Sequence, residues 1–505
     1  MFYLNDDEVK RMNQPISSPT TIQASAPLVR ELPADLETPV STYLKLAGTG
    51  PSFLLESVTG GERVARYSFI GAGLARACVV RGNTLEIHSA DEVEKRIVSD
   101  PLGALKAELE PLRREPLHGL PRFTGGLVGY LGYEMMRFFE PSVSLRPHPD
   151  LPDAIFLLAD TLVAFDHAFG RLLLIANPAP HGPESVARAA AEARLDELEA
   201  RLAAPLPPRA VPAGGVAAVS TEMRSNVPRE RYMANVLKAK EYIAAGDIFQ
   251  VVPSQRLSRE TEAAPFDIYR ALRRLNPSPY MFFFDFASLA GGEPLRLIGA
   301  SPEMHVRLEG RTAAIRPIAG TRPRGKTPAE DLALEQDLLG DPKERAEHVM
   351  LVDLARNDLG RVCEYGTVRV SELMQVERYS HVMHIVSHVE GRLRPELDAF
   401  DLMRATFPAG TVTGAPKIRA MQIIDELEST PRGPYAGAVG YFAADGSMDT
   451  CIAIRTMVMR GKTVSVQAGG GVVADSDPAL EYQESLNKAR ALAVAVEMAE
   501  KSSLA

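Results

Sequence analysis

Apolar and polar positions alternate in two distinct textures along the chain. From about residue 28 to 180, short apolar runs recur: SFLLES, RYSFIGA, LARACVVRG, TLEIHS, AIFLLADTLVAFD and RLLLIAN. Their length, β-branched content and Gly/Asp punctuation predict strands. The segment GGLVGYLGYEMMRFF adds clustered glycine and aromatic residues. From Glu184 the texture changes. ESVARAAAEARLDELEARLAA is Ala-rich and predicts a helix with Val186, Leu195, Leu198 and Leu202 on one face. APLPPRAVPAGG, about residues 204–215, is rich in Pro and Gly and predicts a linker.

Beyond the linker, RERYMANVLKAKEYIAAGD predicts a helix stopped by Gly246, and IFQVVPSQRL a strand that ends at Pro253. Helices and strands then alternate without the regular βαβ spacing of a doubly wound sheet. No tandem repeat of roughly 20–50 residues is visible. The pattern predicts a mixed α+β protein with a smaller N-terminal region, 28–180, and a larger catalytic region, 227–500. Residues 1 to about 25 are polar, with scattered Ser, Thr and Pro, and predict a loosely held arm.

Composition acts mainly by exclusion. The 505 residues are 45% apolar and 24% charged, ordinary for a soluble globular chain. A net charge of −9 and a pI near 5.7 argue against general attraction to nucleic acid or anionic membranes. Three distant cysteines, Cys78, Cys363 and Cys451, suit a reducing compartment and form neither a disulfide framework nor a zinc motif. The acidic start MFYLNDDEVKRM and the lack of a long apolar run predict a cytoplasmic protein without signal peptide or membrane span.

Gly320–Thr327, GTRPRGKT, matches the phosphate-loop pattern G-x-x-x-x-G-K-[ST]. The physics argues otherwise. A phosphate cradle needs inward N–H groups ahead of a helix N-terminus. Pro323 removes one N–H, and Pro317 interrupts the strand that would feed the loop. Thr327-Pro328 moves the helix start to TPAEDLALEQDLL. The stretch reads as a strand, a tight turn and a basic surface loop.

Two later segments share a layout. In DPKERAEHVMLVDLARNDLG, Asp341 fits an N-cap, Pro342 the first helical position and Gly360 the stop, with Glu344 and Glu347 three apart. In SDPALEYQESLNKARALAVAVEM, Asp477 and Pro478 repeat the start, Glu481 and Glu484 repeat the spacing, and Lys488 follows on that face. Glu344 and Glu481 suit helix capping and the dipole; Glu347 and Glu484 sit deeper, where that benefit fades. The alternative is a shared hard cation such as magnesium.

Other polar signals stand among apolar residues. GASPE, Gly299–Glu303, ends a strand with an acid that is a general acid or an exposed turn residue. RYSHVMHIVSHVEG spaces His381, His384 and His388 for helical metal ligands, but its alternation fits a strand with His384 and His388 on one face. GTVTGAPK, Gly410–Lys417, opens a helix with amides free to face an anion. GPYAGAVGYF and CIAIRTMV carry Tyr435 and Arg455, and SVQAGGGVV places three glycines where backbone approaches a ligand. Together these parts suit a polyanionic small molecule handled with a metal.

GASPE, RPIAGTRPRG, KERAEHVMLVDLARNDLG, RYSHVMHIVSHV, PAGTVTGAPKIRAM, YAGAVGYF, IAIRT, QAGGGVVADSDPALEYQES and NKARA, in this order, resemble the chorismate-utilising enzymes. Within them the blocks look like the large (component I) subunits of anthranilate synthases, over about residues 28–500. The resemblance implies a mixed α/β fold of packed sheets flanked by helices, with N- and C-terminal segments intermingled. It implies conversion of chorismate and ammonia to anthranilate and pyruvate, the committed step of tryptophan biosynthesis.

By the same resemblance, Glu347 and Glu484 ligate Mg²⁺, with Glu344 and Glu481 nearby, and Glu303 is the general acid. His384 and Thr413 belong to the catalytic group. Gly320, Thr321, Tyr435, Arg455, Gly469, Gly470, Gly471 and Lys488 hold chorismate; Gly470 stands where relatives carry Ala. LLES and NPSPYM resemble a tryptophan feedback site formed by Ser57, Pro279, Tyr280 and Met281 in the N-terminal region. Ala319 occupies the position where water-using relatives, which make isochorismate or salicylate, carry a lysine base. Aminodeoxychorismate synthases tend to carry lysine there too. A methyl group can neither activate water nor attack a ring, which suits ammonia. No G-x-C-x-G glutaminase elbow occurs in the chain, so ammonia is expected from a separate glutamine amidotransferase subunit, component II, in a hetero-oligomer.

Overall fold

The computed structural model describes residues 26–57, 66–90, 92–208, 222–379 and 382–502. The expected arm at 1–25, most of the 204–215 linker and His381 lie outside the described residues. Two large antiparallel sheets, of eleven and twelve strands, organise the described chain.

Each sheet is built from both sequence stretches. In the eleven-stranded sheet, Ser52–Glu56 is the last strand of the N-terminal set, and it pairs with Tyr280–Asp285. In the twelve-stranded sheet, Gly126–Leu131 meets Ala438–Ala443 in the same manner. The stretches 28–180 and 227–500 therefore share two seams, and the chain has the mixed, intermingled α/β architecture expected of it.

Both sheets are covered on both faces. Phe282 and Phe284 join Phe53 and Tyr130 in a core between the sheets. Met281 and Phe283 of the same strand face an outer core shared with the helices Pro265–Leu275 and Pro478–Ser502. This two-sided burial explains why YMFFFD is apolar without alternation. Gly299 of GASPE lies directly opposite Phe282, and a Cβ there would stand 2.1 Å from its ring. That glycine makes room for packing. A third core covers the outer face of the twelve-stranded sheet and includes Val352, Ala355 and Leu359 of the Pro342–Gly360 helix.

Several local expectations are refined. The Glu184–Ala203 helix forms, but it buries Ala187, Ala191, Leu195, Leu198 and Leu202, while Val186 is exposed. Val186 and Leu195 are nine residues apart, half a turn out of phase at about 100° per residue. Pro253 separates two strands rather than ending one: Gln250–Val251 pairs with Gly414–Ala415, whereas Ser254–Glu260 enters the eleven-stranded sheet. The phosphate-loop lookalike is a strand, Ile318–Pro323, then a turn, then a helix from Pro328 capped by Thr327. Its cations are not a free basic loop. Arg322 pairs with Asp337, Asp341 and Glu344, and Arg324 with Asp331. No helix among the described residues is long and apolar enough to cross a membrane.

Candidate active site

The two acidic helices begin alike. Asp341 Oδ1 accepts from the Lys343 and Glu344 amides, and Asp477 Oδ1 from those of Ala479 and Leu480. The aspartates thus do the capping. Glu344 instead accepts from Arg322 at 3.3 Å, and Glu481 from Ser476 Oγ at 2.7 Å. The apolar C-terminal half of each helix is anchored in a different core. Their first turns therefore converge from separate layers on one cavity of about 480 Å³.

Glu344, Glu347, Glu481 and Glu484 all line this cavity. Burial, reinforced by neighbouring acids, raises the Glu347 and Glu481 carboxyls above their ordinary range. Glu481 Oε2 is buried with no hydrogen-bond partner. Gln250 Nε2 lies 3.3 Å from Glu347 Oε1, and Lys488 Nζ 2.7 Å from Glu484 Oε1. Four acids lining one cavity, one of them with an orphaned carboxylate oxygen, suit a hard cation. Among the described residues no three His, Cys, Asp or Glu side chains already form a metal cage. The donor set suits a cation that keeps water and substrate among its ligands, as magnesium does.

Glu303 lines the same cavity. Its backbone is clamped where the strand ends: Ile452 N–H donates to the Glu303 carbonyl at 3.1 Å, and Ser301 Oγ to the Ile452 carbonyl at 2.7 Å. The carboxyl is buried and accepts from Thr411 Oγ1 at 2.7 Å. Burial pushes its pKa up to about 8, against smaller opposing contributions from Thr411 and the Ile318 amide. It therefore carries a proton at neutral pH, the state required of a general acid.

His384 lies on the strand Val382–Arg392, with His388 on the same face, so the strand reading holds. Its partner strand carries a register shift between Ala319 and Arg322, and Gly320 there has φ +68°. This bulge, which glycine tolerates without strain, turns the Gly320 carbonyl toward the ring. His384 Nδ1–H donates to it at 2.8 Å, with Thr321 Oγ1 at 3.1 Å. Burial lowers the His384 pKa, so the ring is neutral with Nε2 as its acceptor.

Arg455 and Tyr435 also line the cavity. Arg455 has φ +50°, and Ala436, next to Tyr435, has φ +65°. Non-glycine residues held there store strain of roughly 1–3 kcal/mol each. Arg455 donates to the Lys488 carbonyl, and Lys488 Nζ to the Gly469 carbonyl at 2.9 Å. Beneath them Arg432 lies over the Tyr435 ring at 5.4 Å.

Of the residues singled out in the sequence, Glu303, Ala319, Gly320, Thr321, His384, Tyr435, Arg455, Gly469, Gly471 and Lys488 line this cavity with the four acids. Two are placed differently. Thr413 is fully buried, and its hydroxyl donates to the Ala409 carbonyl at 3.0 Å. The 3₁₀ turn Gly410–Val412 aims Thr411 at Glu303 instead, and the Val412 and Thr413 amides bond within that turn. Gly470 backs the acids: a Cβ there would lie 2.3 Å from Glu481 Oε2. Gln250, Lys343, Thr411 and Gln467 also line the cavity without having been singled out. The repeated Thr of GTVTGAPK was the signal for Thr411; the others carried none.

A larger cavity, about 590 Å³, lies at the seam of the eleven-stranded sheet. Ser57, Pro279, Tyr280 and Met281 line it together with Arg66, Arg122, Phe69 and Tyr441. Tyr280 OH donates to Asp449 Oδ1 at 3.0 Å, and Arg307 holds Asp449 Oδ2 at 2.7 Å. The walls combine aromatic surface with charges of both signs.

Known proteins resemble the chain closely. The family profile described as chorismate binding enzyme matches residues 50–494. Anthranilate synthase component 1 of Pseudomonas putida is 50% identical over 484 residues, covering 94% of this chain and 96% of that one. The protein of that name from Neisseria meningitidis serogroup B is 48% identical over 478 residues, covering 94% and 95%. The crystal structure of anthranilate synthase component I from Streptococcus pneumoniae TIGR4 superposes with a TM-score of 0.74 at 36% identity, covering 92% of this chain and 99% of that one. By the profile match over residues 50–494 and these identities along nearly its whole length, the chain belongs to the chorismate-binding enzyme family.

Proposed function

We propose that the protein is the chorismate-converting subunit of an anthranilate synthase, a lyase that adds ammonia at C2 of chorismate, expels the C4 hydroxyl and releases pyruvate. The observation that carries this reading is Glu303, a carboxyl held protonated by burial on the wall of a cavity that also holds cations and the four acids. The relatives' shared name supports it.

Chorismate carries two carboxylates. Arg455, Tyr435 and the backbone around Gly469 to Gly471 hold the enolpyruvyl carboxylate, and Lys488 adds positive charge. Magnesium, held by Glu347 and Glu484 with Glu344 and Glu481 alongside, would supply the charge that grips the ring carboxylate. Gly320 and Thr321 position the ring, and His384 faces it as a neutral imidazole. Glu303 gives its proton to the C4 oxygen, which leaves as water. Ala319 contributes only space, so ammonia attacks without a base. A partner glutaminase subunit delivers that ammonia from glutamine in the cytoplasm. Fixed donors around a substrate in a walled cavity lower the barrier by orientation and electrostatics.

Chorismate, Mg²⁺ and an ammonium salt at mildly alkaline pH should yield fluorescent anthranilate. The chain has no Trp, so background is low. Folded protein that forms no anthranilate overturns the reading. In the same assay, Glu484→Gln should lose its magnesium-dependent turnover.

The seam cavity is the site for feedback by tryptophan. Its aromatic walls suit an indole, and its mixed charges suit a zwitterion. Tryptophan should slow turnover of the parent protein, and Ser57→Phe, which fills the cavity from the Ser52–Glu56 side, should blunt that inhibition. Equal inhibition of both proteins would remove the site from this cavity.

A further inference from the structure

Glu303 and Thr411 line two cavities at once. Besides the large site, they wall a small one of about 30 Å³, shared with His305 and Asp358. That volume exceeds the roughly 10–15 Å³ one water requires. The site is polar: Asp358 Oδ2 receives Lys417 Nζ at 2.7 Å, and His305 is 3% exposed.

Hydrogen bonding fixes the His305 tautomer. Thr450 Oγ1 donates its only proton to the Val306 carbonyl at 3.1 Å. The 3.3 Å contact between His305 Nδ1 and Thr450 Oγ1 therefore runs from Nδ1–H to the hydroxyl oxygen. Burial lowers the ring's pKa to about 3, with the Thr406 carbonyl a weaker opposing influence. Nε2 of the neutral ring is thus an acceptor, and it is buried without a protein partner. Native structures rarely leave such a group unserved.

We propose that the small cavity binds one ordered water, which donates one hydrogen to His305 Nε2 and the other to the Glu303 carboxyl, making His305 a positioning residue for the acid. This rests on the reading of Glu303 as proton donor. When its proton passes to the C4 oxygen, which departs as water, Glu303 becomes a carboxylate. Thr411 already donates to one oxygen. The cavity water supplies a second donor and steadies the charge as it forms. Through that water, His305 acts on the acid without touching chorismate.

A high-resolution crystal structure of the full chain tests the site directly. Density for a water within hydrogen-bond reach of His305 Nε2 and Glu303 is expected in the parent and absent in His305→Phe. Turnover separates positioning from mere packing. His305→Phe should lower kcat roughly tenfold or more, the effect of one hydrogen bond to a charged group, with KM for chorismate nearly unchanged. His305→Gln, which restores an acceptor, should recover part of kcat. A parent structure without the water, or parental kcat in His305→Phe, overturns the proposal. Should the water be present while Glu303→Gln keeps full turnover, the water site stands and the acid assignment falls.

Discussion

Glu303→Gln should reduce anthranilate formation by roughly 10²–10⁴-fold, the usual contribution of a positioned general acid. Glutamine keeps the shape and can still accept from Thr411, but it has no proton to give. The pH dependence carries the same signature. With the carboxyl pKa near 8, turnover of the parent, measured at constant free ammonia, should decline on an alkaline limb centred there, and the residual activity of the variant should lack that limb. On substitution, stability should move opposite to turnover. Between the ordinary value of 4.5 and about 8, the native carboxyl binds a proton that the unfolded one has lost. Parent stability therefore falls as pH rises through this window and is lowest, for this group, above it. Glutamine removes the dependence, so at pH 8 the variant should unfold at higher denaturant than the parent, by on the order of a few kcal/mol. A variant that loses turnover and stability together would point to misfolding; one with parental turnover would remove Glu303 from the chemistry.

The largest effect on stability is expected from Arg432→Met. Arg432 is 3% exposed. It donates to both oxygens of Glu428, and to the carbonyls of Val252 and Val412 at 2.7 and 2.8 Å. It also lies over the Tyr133 ring at 4.7 Å. Removing the guanidinium leaves Glu428 buried with Ser254 as its remaining donor. Breaking one side of a buried pair costs about 3–5 kcal/mol, read as a lowered denaturation midpoint. Glu428→Gln added to Arg432→Met should recover part of that loss, because it removes the stranded charge. Val252, Val412 and Tyr435 line the candidate site, so KM for chorismate should rise as well. An unchanged midpoint would show that the pair is already solvated in the native state.

Much of the candidate site was legible because its chemistry is written in short, punctuated segments. Asp-Pro announces each acidic helix, Gly320 marks the bulge, and Ser-Pro-Glu places the acid at a strand end. Chemistry carried by long-range packing was not legible. Nothing in TVTG says whether Thr411 or Thr413 faces Glu303; the 3₁₀ turn decides it. The left-handed backbone of Arg455 is imposed by its surroundings, since arginine has no intrinsic preference for it. Nothing in MHVRLE marks His305 locally, and only the Thr450–Val306 hydrogen bond gives its ring a direction. For the fold, strand and helix identities followed from periodicity. The assignment of strands to two shared sheets did not, because local sequence carries no record of which distant strand will be its neighbour.

The shared seams also have a kinetic consequence. As the chain leaves the ribosome, Ser52–Glu56 and Gly126–Leu131 emerge long before the strands that pair with them, Tyr280–Asp285 and Ala438–Ala443. At roughly 5–20 residues per second, the second of these edges waits on the order of 15–60 s for its neighbour. Until Tyr280–Asp285 emerges the nascent chain presents two unsatisfied, apolar strand edges, and from then until Ala438–Ala443 emerges it presents one; such edges are the surfaces most prone to intermolecular pairing. The yield of soluble enzyme should therefore respond to translation speed and to chaperones that shield strand edges.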